Sequence, residues 1–181
     1  RDAVGDRIQE YWSLGARYET EMKIFLERLA RNKLSGDTYR RVQFLLEWTS
    51  DMGQMAELCN RFRILQMERE MGDVYFVPKQ RARLIGMLEG IAEAMAALGE
   101  LNMPLEVSIS QSDVYIGKLE SHLIEVDAMR EQMRTKHRED IRKGRYSLES
   151  GLAFSEMGDL LEEMSLRVGL LSTKFTEIFR A

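Results

Sequence analysis

The chain has 181 residues, long enough to bury a real core as one domain or as two tightly joined halves. An apolar fraction of 44% with 31% charged residues suits a globular protein, and a formal net charge of −4 gives no pointer to nucleic acid as a partner. The single cysteine, Cys59, excludes an internal disulfide framework and fits a reducing compartment.

No stretch approaches the roughly 20 apolar residues of a membrane span, and no signal peptide is evident. The opening "RDAVGDRIQEYW" is already near helical periodicity and lacks an initiator methionine. A piece of a longer protein is the expectation. Two prolines, twelve methionines and runs of Leu, Met, Glu, Arg and Ala favour long helices over sheets.

Spacings of three and four predict five helices. The first spans about 4–32, with Ile8, Tyr11, Gly15, Tyr18, Met22, Phe25 and Leu29 on one stripe. "NKLSGD" breaks it, and Ser35 or Asp37 can cap the second helix, which runs to about 71. Its stripe is Leu45, Trp48, Met52, Met55, Cys59 and Phe62, which predicts a buried Cys59. In "MGDVYFVP" the pattern lapses, and Pro78 suits the first turn of a third helix, to about 102, with Leu84, Leu88, Ile91, Met95 and Leu98.

The loop "NMPLEVSISQS" leads to a fourth helix over about 112–143, lined by Ile116, Leu119, Leu123, Val126, Met129 and Met133. "VYF" and "EVSIS" are too short to build a sheet and read as connectors. In "KGRYSLES", Gly144 stops the fourth helix and Ser147 caps the fifth. That helix runs to about 180 through Phe154, Met157, Leu161, Met164, Val168, Leu171, Phe175 and Ile178. Long helices with short turns predict an all-α, antiparallel up-and-down bundle. A weak internal repeat of long helix, basic turn and apolar helix suggests two related halves, 1–74 and 75–181, the first short of one helix.

Catalytic residue patterns are sparse. His122 and His137 stand fifteen residues apart on one helix, about 22 Å, and cannot share a metal without a kink. His137 reads as solvated within "RTKHRED", and His122 as a boundary residue beside the apolar stripe. No phosphate-binding glycine loop and no nucleophile–base ordering appears, so no enzyme is expected.

The acids Glu156, Asp159, Glu162 and Glu163 fall on the face of the last helix opposite Phe154, Met157, Leu161 and Met164. A solvated helix back is the simplest reading. A metal site would need further carboxylates from the second helix, where Glu47, Asp51 and Glu57 are the candidates. Basic residues gather at two turns: Arg28, Arg31, Lys33, Arg40 and Arg41, then Lys136, Arg138, Arg142, Lys143 and Arg145. They match helix C-terminal dipoles, or they meet anionic headgroups or acidic loops at about 1 kcal/mol per residue.

The segment "MRTKHREDIRKGRYSLESGLAFSEMGDLLEEMSLRV", echoed by "IFLERLARNKLSGDTYRRVQFLLEWTSDMGQMAEL", resembles the PhoU family. The nearer likeness is to the PhoU-like domain at the cytoplasmic C-terminus of bacterial sodium/phosphate cotransporters. That resemblance implies paired pseudo-symmetric three-helix bundles and a non-catalytic regulatory role in phosphate uptake. It also implies the cytoplasmic side of the bacterial inner membrane, as part of a larger membrane protein.

The implied partner is the transmembrane portion of the same polypeptide, with a second copy or an anionic membrane surface as further candidates. The family's acidic metal motifs map to "GQMAE" and "EEMSL". Here Glu57 and Glu162 remain, while Gly53 and Leu166 stand where acids belong. Each half has thus lost a carboxylate. The expected cofactor set is empty, with a divalent or transition metal as the alternative. Two rivals stand beside this reading: a metal-binding helical sensor using Glu47, Asp51, Glu57, Glu156, Asp159 and Glu162, and a generic helical scaffold.

Overall fold

The computed structural model describes residues 3–102 and 109–179, and within them the chain forms five α-helices and no strand. They are α1 (Ala3–Ala30), α2 (Gly36–Met71), α3 (Pro78–Asn102), α4 (Ile109–Arg142) and α5 (Leu148–Phe179). The all-α helical-bundle expectation holds. Part of the "EVSIS" connector lies outside the described residues, and Ile109 and Ser110 already belong to α4. No described helix is long and apolar enough to cross a membrane.

The helix ends follow from local chemistry. The Ser35 hydroxyl accepts a hydrogen bond from the Thr38 amide at 3.3 Å, and the Ser147 hydroxyl accepts one from Ser150 at 3.2 Å. Pro78 opens α3, where it gives up no needed donor. At the end of α4, Gly144 adopts φ 62°, the Arg145 amide bonds the Asp140 carbonyl, and the Gly144 amide bonds that of Ile141. This is a Schellman closure. The end of α2 repeats it with Val74 to Arg69 and Asp73 to Glu70, but Asp73 occupies the left-handed position at φ 53°.

Two compact units emerge, and the division is not a single cut in the chain. One comprises 1–64 with 173–181, the other 65–172, so α2 and α5 each contribute to both. In the second unit α4 lies antiparallel to α3, because Arg83 meets Asp140 while Glu93 faces His122. Gly90 permits the approach: a Cβ there would stand 2.9 Å from Val126. α5 is antiparallel to α4, with Glu162 at Arg134 and Phe154 at His137.

The α5 stripe is as expected: Phe154, Met157, Leu161, Met164, Val168, Leu171 and Phe175 are all buried. Each contributes about 1.5–3 kcal/mol through burial. Ile178 lies outside the residues whose side chains are described. The α3 and α4 stripes also bury Leu84, Ile91, Leu98, Ile116, Leu119, Val126 and Met133.

In the first unit α1 runs antiparallel to α2, with Trp12 at Glu57, Gly15 at Ala56 and Lys23 at Ser50. Here the expected stripes need correction. Tyr11, Tyr18, Met22 and Phe25 are exposed, while Leu26 is buried and Trp12 half-buried beside α2. In α2, Leu45, Met52 and Cys59 are exposed; Met55 is buried as expected, together with Val42, Phe44 and Leu58 from outside the expected stripe. Phe44 and Trp48 instead pack on Phe175 from the end of α5, at 6.4 and 6.1 Å between ring centroids. Although Cys59 is exposed, its neighbours crowd the thiol enough that desolvation raises its pKa.

Asp73 carries two costs, a left-handed backbone with a Cβ and an anion at a helix C-terminus. Asp73→Gly should therefore raise stability by about 0.5–1 kcal/mol in urea unfolding. A lower midpoint would show that the Tyr75 hydroxyl bond to Asp73 matters more than the backbone strain.

Candidate interaction surface

The second unit presents its chemistry at the turn between α4 and α5. Asp140, in the last turn of α4, keeps only 3% of its side chain exposed. Arg83 from α3 donates to one carboxylate oxygen at 2.8 Å, and Arg145 from the turn donates to the other at 2.7 Å. Burial alone would raise the Asp140 pKa. The hydrogen bonds and positive charge of Arg83, then of Arg145, outweigh it and hold the carboxyl below its ordinary value.

Beside this clamp, His137 stacks on Tyr146 at 12° between ring planes and lies 4.9 Å from the Phe154 ring. The Tyr146 hydroxyl oxygen is 2.6 Å from His137 Nδ1 and 3.2 Å from the His137 carbonyl oxygen. Desolvation, reinforced by Arg83, lowers the His137 pKa against the opposing pull of Asp140 and Asp159. The expected solvated histidine is thus half-buried and built into the turn. His122 is a boundary residue, as its position suggested, with Nδ1 3.7 Å from Glu93.

A second brace fixes the start of α5. Gln80, fully buried, accepts from the Val77 amide at 3.0 Å, the side-chain half of a capping box. Its amide nitrogen lies 3.4 Å from the Ser150 carbonyl oxygen. Ser150 Oγ lies 3.0 Å from Gln80 Oε1 and 3.1 Å from the Tyr75 carbonyl oxygen, with one proton to give. The Gln two residues after Pro78 was the available sequence signal, while Asp140 and Arg83 were hidden among many charged neighbours.

On this braced turn the basic residues stand outward. Lys136 and Lys143 both pair with Glu139, and Arg145 is spent on Asp140. Arg138 and Arg142 are exposed. An open hollow of about 300 Å³ lies at the same turn, lined by His137, Tyr146 and Ser147 and by Ile141, Leu148 and Leu152, the last three exposed. Exposed arginines and a largely apolar hollow thus share one turn. In the first unit Arg31, Lys33, Arg40 and Arg41 are likewise exposed at the α1–α2 turn, with Arg40 3.3 Å from Asp37.

The acids are dispersed. Glu47 and Asp51 converge, but on the Lys174 ammonium, at 3.2 and 2.9 Å. The hydrogen bond to Asp51 is the chief reason the Lys174 pKa is raised. Glu57 accepts from the Trp12 indole at 2.9 Å. Glu162 lies 3.3 Å from Arg134 and 3.9 Å from Arg130, while Glu156 and Asp159 are exposed on α5. Glu163 pairs with Arg167.

At Gly53 the space of a missing side chain is taken by the Glu19 carboxylate, itself paired with Lys23. Leu166 is exposed. Among the described residues no group of three His, Cys, Asp or Glu side chains is arranged to hold a metal. A dication at Glu162 would meet two guanidinium groups, and one between Glu47 and Asp51 would have to displace an ammonium. These residues do not fit a multinuclear centre.

Comparison with protein-family models, with curated proteins and with solved structures found no match.

Two predictions come from the clamp and the stacked histidine. Asp140→Asn should destabilise the chain by about 2–3 kcal/mol in chemical unfolding, because it leaves Arg83 and Arg145 facing a neutral amide. The lowered His137 pKa means that the unfolded chain takes up its proton first, so stability drops as pH falls through the ordinary value of 6.5. The lowered Asp140 pKa adds a further loss below its ordinary 3.8. Melting followed by circular dichroism from about pH 7.5 to about pH 5 should show the first loss, and His137→Gln should flatten it.

Proposed function

We propose that the chain is a non-catalytic, PhoU-like regulatory domain of a sodium-dependent phosphate transporter, acting on the cytoplasmic side by protein–protein contact. The observation that carries the contact mode is the α4–α5 turn, where the exposed Arg138 and Arg142 and an open, largely apolar hollow occur together on a backbone braced by Asp140. The transporter assignment rests on the resemblance of residues 133–168 to the family's basic helix end, turn, serine cap and long final helix.

A turn held this firmly loses little conformational entropy on docking, which favours a defined contact over a loose electrostatic one. Exposed guanidinium groups suit acidic loops on the membrane portion, and the apolar recess gives the contact a desolvated centre. Docking would then bias the transporter between its conformations in proportion to the difference in contact energy between them.

The test is phosphate uptake by the full-length transporter carrying Arg138→Glu and Arg142→Glu together. Both positions are exposed, so the fold should persist, checked by protein level and by the melting curve of the separate domain. Uptake, or its response to phosphate supply, should change by several-fold. Unaltered transport at both low and high phosphate would remove this turn as the point of contact.

A further inference from the structure

The first unit carries an apolar face on α1 that is exposed among the described residues. On α1, Val4, Tyr11, Tyr18 and Phe25 recur every seventh residue and are 67, 62, 56 and 60% exposed. Leu14 and Met22 widen the same stripe. A second heptad series, set one residue later, contains Trp12, Glu19 and Leu26 and faces α2. α1 therefore presents two adjacent seams, one filled by α2 and one open. A seven-residue apolar series on a helix of 28 residues supplies one of the two apolar series by which helices pair, with Leu14 the one apolar residue among Arg7, Leu14 and Glu21 of the second.

The charges along the open seam select the partner. The edge away from α2 reads Arg7, Leu14 and Glu21 at the same seven-residue spacing, and behind it stand Glu10 and Arg17. Each set is of opposite sign about a centre near Leu14. When a second α1 is laid antiparallel with the twofold axis at Leu14, Arg7 of each helix faces Glu21 of the other. Glu10 then falls opposite Arg17 within one residue of the same register. Tyr11 faces Tyr18, and Val4 faces Phe25. A parallel pair would put the two Arg7–Glu21 edges on opposite sides of the seam and so forgo these opposite-charge pairs.

We infer that this face joins two copies of the chain through an antiparallel α1–α1 pair centred on Leu14. The pairing is isologous, as a twofold interface requires. The exposed stripe offers on the order of 600 Å² per protomer, at the lower edge of stable interfaces of about 1,200–2,000 Å² in total. A dimer that dissociates on dilution is the expected behaviour. Its aromatic pairs would supply most of the affinity. The inference does not depend on the transporter reading, since it concerns the chain alone and a different unit.

Sedimentation equilibrium of the chain over a dilution series tests it. The wild type should form a reversible dimer, and Tyr18→Glu should weaken it by at least about tenfold. Arg7→Glu and Glu21→Arg should each weaken it by several-fold, and the double variant Arg7→Glu/Glu21→Arg should restore it. Glu21 also pairs with Arg17 within the helix, so helicity by circular dichroism accompanies each variant. Independently, Leu14→Cys in a Cys59→Ala background should give a disulfide-linked dimer on mild oxidation. A wild type that stays monomeric, a dimer indifferent to Tyr18→Glu, or a double swap that fails to restore pairing would each overturn the inference.

Discussion

The second unit depends on one buried carboxylate. Asp140 joins three pieces of chain: α4, which carries it, α3 through Arg83, and the turn into α5 through Arg145. Removing an aspartate from water is costly, and only two charged donors, one per oxygen, make the arrangement stable. The same clamp sets the register of α4 against α3, since the Arg83 contact at one end and Gly90 beneath Val126 further along admit one alignment. It also engages Arg145, whose side chain stays about half exposed, beside the exposed Arg138 and Arg142.

The clamp was not legible in the sequence, but much of the helical layout was, for reasons that differ by element. The α5 stripe is clear because its neighbours in the alternation are polar and its apolar residues share one seam. Ser35, Ser147, Gly144 and Pro78 announce the helix ends because each satisfies, or does without, a particular backbone group. α1 misled for the opposite reason. Its two apolar series are one residue apart, so Tyr11 and Trp12, or Phe25 and Leu26, fit a periodic pattern equally well. What separates them is a polar contact that periodicity counts as unfavourable, Glu19 filling the gap over Gly53 with Lys23 beside it. Cys59 and His137 were misplaced similarly, since each position was judged from its own helix rather than from the neighbour that packs there.

The acids show how spacing alone overstates chemistry. Glu47 and Asp51, four residues apart, do converge on one point, as ligands would. The sequence could not indicate that Lys174, 123 residues beyond Asp51, would occupy that point. Glu162 has the same fate with Arg130 and Arg134. Two further carboxylates are engaged by donors of the chain itself, Glu57 by an indole and Glu162 by guanidinium groups. The electrostatic role that a metal would serve is filled by side chains, and binding one would first require breaking those contacts.

The two units also differ in how completely they hide apolar surface. In the second, the stripes of α3, α4 and α5 close on one another, so opening any of them exposes a large buried area and approaches the cost of global unfolding. In the first, α1 is held to α2 through Trp12, a small-residue contact at Gly15 and Ala56, the Lys23 contact to Ser50 and the buried Leu26, with much of its aromatic surface exposed. Such a helix gains less from its own unit than its composition could supply. Its remaining apolar surface is a reserve of free energy that only an outside contact can realise, and a weakly held element is the one whose stability such a contact changes most. A partner at the open seam would therefore stabilise α1 as well as cover it, so association and local order would rise together.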